Sequence, residues 1–264
     1  MAMKEIDYCY HTHTYRCGHA YGTDEEYVLK AIELGYKELG FSDHMMVPGV
    51  IQNGIRGDFS LLEDYINSVL YLKEKYKDKI KIYLGFECEY SYYLQNYYKE
   101  LLCKYHFDYL ILGQHCYLNN NKMEFYFDGS YNQERYYRYL YDLIEGMRSG
   151  YFAYVCHPDL FVSSLVNGKQ IEMCRIAHQI CQVAEECHIP LEINLGGDHL
   201  PHPHPNFDFF DVAKEYNLEF IFGCDAHNPD ALGKKYSDRV TKFLKRYPKL
   251  NIINRLDFKK EKQD

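Results

Sequence analysis

The sequence predicts an α/β fold in which parallel strands are covered by helices. Two observations support this prediction. Segments with the pattern of strands alternate with segments that have the pattern of helices along the 264-residue chain. Side chains that can bind metal ions follow almost every predicted strand at its carboxyl end. Seven or eight strand–helix units can close into a barrel similar to the (β/α)8 architecture, and a doubly wound open sheet is the structural alternative.

Short apolar or alternating segments, bounded by polar or turn-forming residues, indicate seven strands. These predicted strands occupy residues 6–10, 38–42, 80–86, 109–113, 152–156, 190–193 and 219–224. A segment with a helical pattern separates each strand from the next. Because each connection contains a helix, we expect neighbouring strands to run parallel.

A capping box formed by Thr23 and Glu26 opens the first helix, which covers about 24–34 and ends at Gly35. The other predicted helices lie at about 60–77, 92–105 and 132–148, within 168–187, and at about 207–216 and 230–246. Three segments rich in Gly, Pro, Asn or Tyr are predicted to be loops; they are 45–58, 117–131 and 195–206.

The composition argues against several classes of protein. A net charge of −8 and a pI near 5.9 disfavour binding to nucleic acid or to an anionic membrane. The ten cysteines form no Cys-x-x-Cys pair, so neither a zinc ribbon nor a thioredoxin-type site is indicated. The first residues lack the apolar core of a signal peptide, and no apolar run approaches the ~18 residues of a spanning helix. We therefore expect one cytoplasmic domain over residues 1–264.

The first predicted strand leads into a cluster of histidines. His11 and His13 are two residues apart, and on an extended segment this spacing places both side chains on the same face. His19 follows six residues later, after Gly18, where the chain can bend back. Neutral imidazoles arranged in this way make half of a site for Zn, Fe, Mn or a similar ion.

Similar side chains recur after the later strands. The candidates at strand ends are His11, His13, Asp43, His44, Glu87, His115, His157, Asn194, Asp225 and His227. The carboxyl ends of the strands of a parallel barrel face one rim, so we expect these side chains and His19 to lie together. His199, His202 and His204 fall in a proline-rich loop after the sixth strand. They could edge the pocket, but exposure to solvent is the expected state.

Mixed imidazole and carboxylate ligation suits Zn, Fe or Mn better than Mg or Ca. Two or three such ions can lower the pKa of bound water toward ~7 and neutralise the oxygens of a phosphoryl group. A carboxylate can bridge two of the ions. Glu87, at the end of the third strand, is the candidate for this bridge, and Glu89 is its competitor.

An ordered series of short motifs runs through the chain. It comprises His11-Thr-His13-Thr, Cys17-Gly-His19, Ser42-Asp43-His44, Gly85-x-Glu87, Gly113-x-His115, Cys156-His157-Pro158-Asp159-Leu160, Glu192-Ile-Asn194 and Gly223-x-Asp225-Ala-His227. This series resembles the PHP (polymerase and histidinol phosphatase) superfamily and, within it, the stand-alone bacterial histidinol-phosphatases. The resemblance extends from residue 6 to about residue 230.

The resemblance implies a distorted (β/α)7 barrel with three divalent metal ions at the C-terminal rim of the strands. The implied ligands are His11, His13, Glu87 and Asp225 for the first ion, Glu87, His115 and His157 for the second, and His19, His44 and His227 for the third. The implied reaction is attack of a metal-bridging hydroxide on phosphorus. Asp43 or Asp225 could move the proton, and His227 is the third catalytic candidate.

The resemblance is weaker where a substrate would bind. Histidinol-phosphatases tend to carry basic residues after the His-Pro-Asp-Leu motif and after the sixth strand. This chain has Phe161-Val-Ser-Ser164 and Leu195-Gly-Gly-Asp-His199 at these places. Arg16 is therefore the leading candidate for a phosphate anchor, because a guanidinium group can bind phosphate through two parallel hydrogen bonds. The other candidates for substrate contacts are Arg56 and Asn194.

Four functions stay open at this point. The first is hydrolysis of L-histidinol phosphate in histidine biosynthesis. The second is hydrolysis of another small phosphomonoester, a nucleotide or a nucleic-acid end, although the acidic charge disfavours long nucleic acid. The third is a non-catalytic metal-binding or interaction domain, and the fourth is a metal-dependent amidohydrolase on a similar barrel. The complete set of implied ligands favours a hydrolase that acts on a small phosphate ester.

Overall fold

The computed structural model describes residues 6–127, 132–164, 170–196 and 204–258. Two groups of parallel strands form the centre of the fold. The first group is ordered β1-β2-β3-β4 and comprises β1 (Tyr8–Cys9), β2 (Glu38–Phe41), β3 (Lys81–Cys88) and β4 (Tyr109–Leu112). The second group is ordered β7-β8-β9 and comprises β7 (Leu191–Asn194), β8 (Glu219–Gly223) and β9 (Asn251–Ile252). The predicted parallel alternation is thus present in an α/β fold.

Single-residue bridges connect the two groups of strands. Val155 pairs in parallel with Leu112 on one side and with Leu191 on the other. The predicted strand at 152–156 is therefore an extended segment that is paired through Val155. A further parallel bridge joins Thr12, just after β1, to Ala226, just after β8. The parallel sheet is consequently curled, and the carboxyl ends of β1 and β8 approach each other.

The helices follow the strands as the sequence predicts. They are α1 (Asp24–Glu33), α2 (Leu62–Lys75), α3 (Gln95–Lys99), α4 (Gln133–Arg148), α5 (Gln170–Cys187), α6 (Phe207–Ala213) and α7 (Asp238–Arg246). The capping box at the start of α1 is confirmed, since Glu26 N donates to Thr23 Oγ1 at 3.3 Å and Thr23 N donates to Glu26 Oε2 at 2.6 Å. No helix in these described ranges is long and apolar enough to cross a bilayer.

The predicted loop at 117–131 contains a β-hairpin, so this prediction was wrong for its first half. Strands β5 (Cys116–Asn119) and β6 (Lys122–Phe125) pair antiparallel. The two residues between them, Asn120 and Asn121, both have positive φ, at 47° and 60°. Asparagine tolerates this conformation, which a two-residue type I′ turn requires at both central positions.

Two predicted helices are interrupted. The segment predicted as a helix at 230–246 consists of a 3₁₀ segment, Pro229–Tyr236, and helix α7. Ser237 separates them because its backbone is extended, and its hydroxyl accepts a hydrogen bond from Val240 N at 3.3 Å, which caps α7. The segment predicted at 92–105 begins with a 3₁₀ turn and ends with a π-helical turn, Glu100–Lys104.

A buried tyrosine fixes the ends of the first strands. The Tyr109 hydroxyl lies 2.7 Å from the carbonyl oxygen of Tyr10 and 3.1 Å from that of Phe41. A Cβ at Gly40 would lie 2.9 Å from Tyr109 Cζ, so only glycine leaves room for this ring. The tyrosine therefore satisfies backbone carbonyls directly beneath the histidines that follow β1 and β2.

Candidate metal centre

The predicted histidines and carboxylates converge at one place beside the strand ends. The residues brought together are His11, His13, His19, His44, Glu87, His115, His157, Asp225 and His227. They come from the ends of strands that are distant in sequence, and the parallel pairing of those strands places them side by side. The expectation that these side chains would gather at one site is met by the geometry.

Glu87 lies at the centre of the cluster, and one of its oxygens faces three imidazoles. Glu87 Oε1 is 2.6 Å from His157 Nε2, 3.5 Å from His115 Nε2 and 3.6 Å from His11 Nε2. The carboxylate is buried at the end of β3. Burial alone would raise the pKa of Glu87, but the imidazoles of His115, His44 and His11 hold it well below its ordinary value.

The second oxygen of Glu87 faces a different pair of imidazoles. Glu87 Oε2 is 3.0 Å from His44 Nδ1 and 3.5 Å from His13 Nε2. The two oxygens of a single carboxylate thus address two separate sets of nitrogen donors. A carboxylate in such a position can bridge two cations.

Asp225 supplies a second carboxylate to the same two imidazoles, those of His11 and His13. Its Oδ1 lies 3.2 Å from His13 Nε2, 3.6 Å from His11 Nε2 and 3.4 Å from His227 Nδ1. The backbone of Asp225 has a φ of +46°, and that of His157 has a φ of +29°. Positive φ is costly for residues other than glycine, so the surrounding packing holds both side chains in directions that relaxed backbone would not give.

A third group of imidazoles lies around His13. The ring centroids of His13 and His227 are 4.2 Å apart, and those of His13 and His44 are 4.5 Å apart. His19 completes the group, because its Nε2 lies 2.9 Å from His227 Nε2. Two ring nitrogens directed at each other at this distance can share a proton or jointly face a cation.

Unpartnered polar atoms show that the cluster suits metal cations. Several buried nitrogen and oxygen atoms that face one another have no hydrogen-bond partner; they include His11 Nε2, His13 Nε2, His44 Nδ1 and Glu87 Oε2. An unsatisfied buried polar group costs about 1–3 kcal/mol. Imidazole nitrogen and carboxylate oxygen are the donors that Zn, Fe and Mn accept. Three sets of three cluster side chains have donor atoms within 4.8 Å of one another, and His11, Glu87 and His157 form a further set with Cys156.

The protonation of two of these imidazoles also suits metal binding. Burial, together with the neighbouring His227 and His44, lowers the pKa of His13 well below its ordinary value. Burial lowers the pKa of His44 to about 4, against the opposing effect of Glu87. Both side chains are therefore neutral at pH 7, and a neutral imidazole is the form that binds a metal.

Glu192 orients two of the histidines from behind. Its Oε1 is 2.8 Å from His11 Nδ1, and its Oε2 accepts hydrogen bonds from His157 N at 2.8 Å and from Asn194 Nδ2 at 2.9 Å. When Nδ1 of a histidine donates to a carboxylate, its Nε2 keeps the lone pair that a metal requires. The sequence showed one sign of this role that we did not use, namely a glutamate inside the apolar strand β7.

Asn194 belongs to the same network. Its Nδ2 lies 3.3 Å from Asp225 Oδ2, and its Oδ1 accepts a hydrogen bond from Gly196 N at 2.7 Å. These contacts connect Asn194 to two carboxylates and to the loop that follows β7. The geometry thus gives Asn194 a part in positioning the cluster, whereas the sequence predicted a contact with substrate.

The contacts of Arg16 do not support the prediction that this residue anchors phosphate. The guanidinium is buried, with 6% of the residue exposed, and it donates to Asp24 Oδ1 and Asp64 Oδ2, each at 2.8 Å. A further hydrogen bond runs to Thr14 Oγ1 at 3.2 Å. These three protein acceptors occupy the side chain, and they tie the segment after β1 to helices α1 and α2.

Arg56, the second candidate for a substrate contact, is also engaged by protein groups, and only 3% of the residue is exposed. It donates to Glu89 Oε1 at 2.9 Å, to Gln52 Oε1 at 2.7 Å and to Met45 O at 2.9 Å. Glu89 Oε1 in turn lies 3.6 Å from His115 Nδ1. Glu89 therefore stands behind His115, while Glu87 occupies the centre of the cluster.

Asp43, a predicted catalytic residue, is buried beside the cluster. Its Oδ1 accepts a hydrogen bond from Thr14 N at 2.6 Å, and its Oδ2 accepts one from Thr14 Oγ1. Burial raises the pKa of Asp43 to about 7, although the hydrogen bonds from Thr14 oppose this shift. Both oxygens are thus engaged in fixing the segment that carries His13.

His204 is a further functional candidate, and the structure buries it. We expected it in a solvated loop, but only 3% of the residue is exposed. Its Nδ1 lies 2.7 Å from Asp159 Oδ1, and its ring centroid lies 6.2 Å from that of His157. His199 and His202 lie outside the described residues. The presence of a carboxylate two residues after His157 was the only sequence signal for this pair.

The chain is similar in sequence to a known domain family and to two named proteins. Residues 10–195 match the PHP domain family. The chain is 29% identical over 240 residues to a protein of Deinococcus radiodurans named "Probable histidinol-phosphatase", across 87% of this chain and 90% of that protein. A "Histidinol-phosphatase" of Lactococcus lactis is 34% identical over 93 residues, which are 32% of this chain and 29% of that protein.

A solved structure shares the fold over nearly the whole chain. It is the histidinol phosphate phosphatase of Lactococcus lactis in complex with Zn, L-histidinol and phosphate. The TM-score is 0.67 at 17% sequence identity, and the match covers 96% of this chain and 99% of that chain. The structural match shows that the two chains share a fold.

Proposed function

The chain belongs to the PHP domain family, and we propose that it is a metal-dependent phosphomonoesterase that hydrolyses L-histidinol phosphate to L-histidinol and phosphate. One observation carries the proposal: buried imidazole and carboxylate atoms without hydrogen-bond partners surround Glu87 and face one another. The names of the relatives support the choice of substrate.

The metal assignment is three divalent ions, which are Zn, Fe or Mn. His11, His13, Glu87 and Asp225 hold the first, Glu87, His115 and His157 the second, and His19, His44 and His227 the third. The contacts of the two Glu87 oxygens support the sharing of this residue between ions. The zinc bound to the Lactococcus lactis structure supports the kind of metal.

The corresponding architecture is a distorted (β/α)7 barrel with the metal centre at the C-terminal rim. Two features support it: the pairing of Val155 with both Leu112 and Leu191, and the Thr12–Ala226 bridge between the segments that follow β1 and β8. The chain acts as a single domain on a small phosphate ester, without nucleic acid or membrane.

The chemistry of the ions, when bound, is to neutralise phosphoryl oxygens and to lower the pKa of water. The residues of the chain do the remaining work. Asp225 Oδ1 lies between His13 and His227 and can accept a proton there. Glu192 keeps the Nε2 of His11 aimed at the centre. Asp43 fixes Thr14 and, through it, the position of His13.

A second candidate function is hydrolysis of another small phosphomonoester. A specific observation favours it: Arg16 and Arg56, the arginines predicted to bind the substrate, both donate to carboxylates of the protein. The predicted segments after His157 and Asn194 also lack the arginines typical of histidinol-phosphatases. The metal chemistry is the same for both candidates, and only the source of substrate specificity differs.

Phosphate release by the purified protein tests both candidates. The protein is reconstituted separately with Zn, Mn and Fe, and it is assayed with L-histidinol phosphate, an aryl phosphate and a nucleoside monophosphate. The proposal expects kcat/KM for L-histidinol phosphate of about 10⁴ M⁻¹s⁻¹ or more, well above the other two. Preference for another ester would support the second candidate, and a metal-loaded protein that hydrolyses none would contradict both.

A further inference from the structure

The hydrolysis of an alkyl phosphate needs a group that delivers a proton to the departing oxygen. An alkoxide is a strong base and leaves readily only when it is protonated or otherwise stabilised as the bond breaks. The three catalytic candidates from the sequence are poorly placed for this step. Both Asp43 oxygens accept hydrogen bonds from Thr14, and Asp225 and His227 face other members of the cluster.

We propose that His204 donates this proton and that Asp159 holds it in position. This inference rests on the proposed phosphomonoesterase function. The structure gives the pair the arrangement of an acid–base histidine with its orienting carboxylate, because His204 Nδ1 lies 2.7 Å from Asp159 Oδ1. Because Nδ1 faces Asp159 Oδ1 at 2.7 Å, Nε2 is the ring nitrogen that we assign to the substrate.

The position of His204 fits a group that acts on a ligand of the metal centre. Its ring centroid lies 6.2 Å from that of His157, whose Nε2 contacts Glu87 at 2.6 Å. The two rings are thus neighbours, and His157 is a direct contact of Glu87. A phosphate ester that binds at the cluster could place its ester oxygen beside His204.

The backbone that follows His204 is anchored by the same carboxylate and by the start of α6. The second oxygen of Asp159, Oδ2, accepts a hydrogen bond from Asn206 N at 2.6 Å. The side chain of Asn206 caps α6, since its Oδ1 accepts from Asp208 N at 3.0 Å and from Phe209 N at 3.2 Å. One buried carboxylate therefore fixes both the His204 ring and the backbone two residues later. A catalytic acid requires this kind of fixed geometry.

The reaction delivers one proton to the ester oxygen and releases one proton from the attacking water. Water attacks phosphorus, and the bond between phosphorus and the ester oxygen breaks with its electron pair on that oxygen. The imidazolium of His204 gives its Nε2 proton to the oxygen, so the alcohol leaves as a neutral molecule. The attacking water loses a proton, and the His204 imidazole regains one from solvent. No oxidant, reductant or further reactant is needed.

The leaving group provides the test. A nitrophenolate leaves without a proton, whereas an alkoxide needs one, so loss of a general acid should affect the alkyl ester selectively. The variants are His204→Gln and Asp159→Asn, assayed as metal-loaded full-length proteins with L-histidinol phosphate and with 4-nitrophenyl phosphate. His178→Gln is the matched control, because His178 is an exposed histidine of α5 whose Nδ1 lies 2.9 Å from the Tyr216 hydroxyl.

For His204→Gln we expect kcat with the alkyl ester to fall by about 10²–10⁴-fold, the usual contribution of general acid catalysis. Turnover of the aryl ester should change only a few-fold, and metal content measured by elemental analysis should stay at the wild-type value. Asp159→Asn should show the same selectivity with a smaller loss. His178→Gln should match the wild type on both substrates.

Equal losses on both esters with metal retained would overturn the proposal, since they would indicate a role in binding phosphate. Unchanged turnover of the alkyl ester would overturn it as well. Failure of the underlying function looks different: the wild-type protein itself would then prefer another ester over L-histidinol phosphate. In that case the ratio is measured with the preferred alkyl phosphate, and the variants decide the role of His204 in the same way.

Discussion

Replacement of Glu192 by glutamine tests how the cluster is held in place. The two oxygens of Glu192 have different partners. Oε1 faces His11 Nδ1 at 2.8 Å, while Oε2 accepts from His157 N and from Asn194 Nδ2. A glutamine has one oxygen and one NH₂ group. If its NH₂ replaces Oε1, it can only donate to His11 Nδ1, which moves the proton of that ring to the nitrogen needed for metal.

The opposite orientation of the glutamine fails for a different reason. Its NH₂ would then point at His157 N and Asn194 Nδ2, which are both donors. Either orientation therefore loses at least one hydrogen bond to a charged acceptor, worth about 1.5–3 kcal/mol. Loss of a carboxylate that orients a metal-bound histidine typically weakens metal affinity by about 10–100-fold. We expect Glu192→Gln to fall in this range.

A competition titration with a chromophoric chelator measures this change in affinity. Glu186→Gln serves as the control, because Glu186 is an exposed glutamate of α5 that interacts only with surface side chains. The control should bind metal as the wild type does. If Glu192→Gln kept its affinity within twofold of the wild type, our explanation of how His11 is oriented would be refuted.

Four further outcomes follow from the same geometry. His115→Ala should lose metal and activity while the circular dichroism spectrum stays unchanged; full turnover would disprove its role as a ligand. Arg16→Met should lower the free energy of unfolding, measured in urea, by about 3–5 kcal/mol, because it leaves the buried carboxylate of Asp24 without its arginine partner. The KM of this variant should hardly change, and a large rise in KM would restore Arg16 as a phosphate anchor. Gly223→Ala should weaken metal binding, since the new Cβ would lie 2.6 Å from Glu192 Cδ; wild-type affinity would show that Glu192 can move freely. Chelation of the wild-type protein should lower Tm in a scanning calorimeter and added zinc should restore it, whereas an unchanged Tm would argue against a metal bound to the folded state.

The general placement of the site could be predicted from the sequence because strand ends in a parallel α/β fold meet on one side. His11, His13, Glu87 and Asp225 each follow a predicted strand, and the structure brings both imidazoles to 3.2–3.6 Å from each of the two carboxylates. No detail of side-chain geometry was needed for that prediction. It depended only on strand order and direction.

The partners of the arginines could not be predicted in the same way. Arg16 pairs with Asp24 and with Asp64, which is 48 residues away in sequence. Such pairs depend on how helices pack against the strands, and a charge in a sequence does not reveal whether another charge will meet it. A lone arginine near the histidines therefore resembled a phosphate anchor.

The hairpin and the burial of His204 were missed for two further reasons. Asn120 and Asn121 lie in a polar segment, and its turn signal was outweighed by the low apolar content of the flanking strands. The proline-rich surroundings of His204 suggested a solvated loop. Its long-range contact with Asp159 is one that no local pattern contains.

The metal content of the purified protein tests the central claim most directly. Wild-type protein and the Glu87→Gln variant are loaded with zinc in parallel, freed of excess metal and measured by elemental analysis per chain. We predict about three ions in the wild type, which is the number that the resemblance to the PHP family implies. We predict a clear loss of metal in the variant, because the two oxygens of Glu87 face separate sets of imidazoles. Less than one ion per wild-type chain, or equal content in both proteins, would contradict the assignment of this cluster as a metal centre bridged by Glu87.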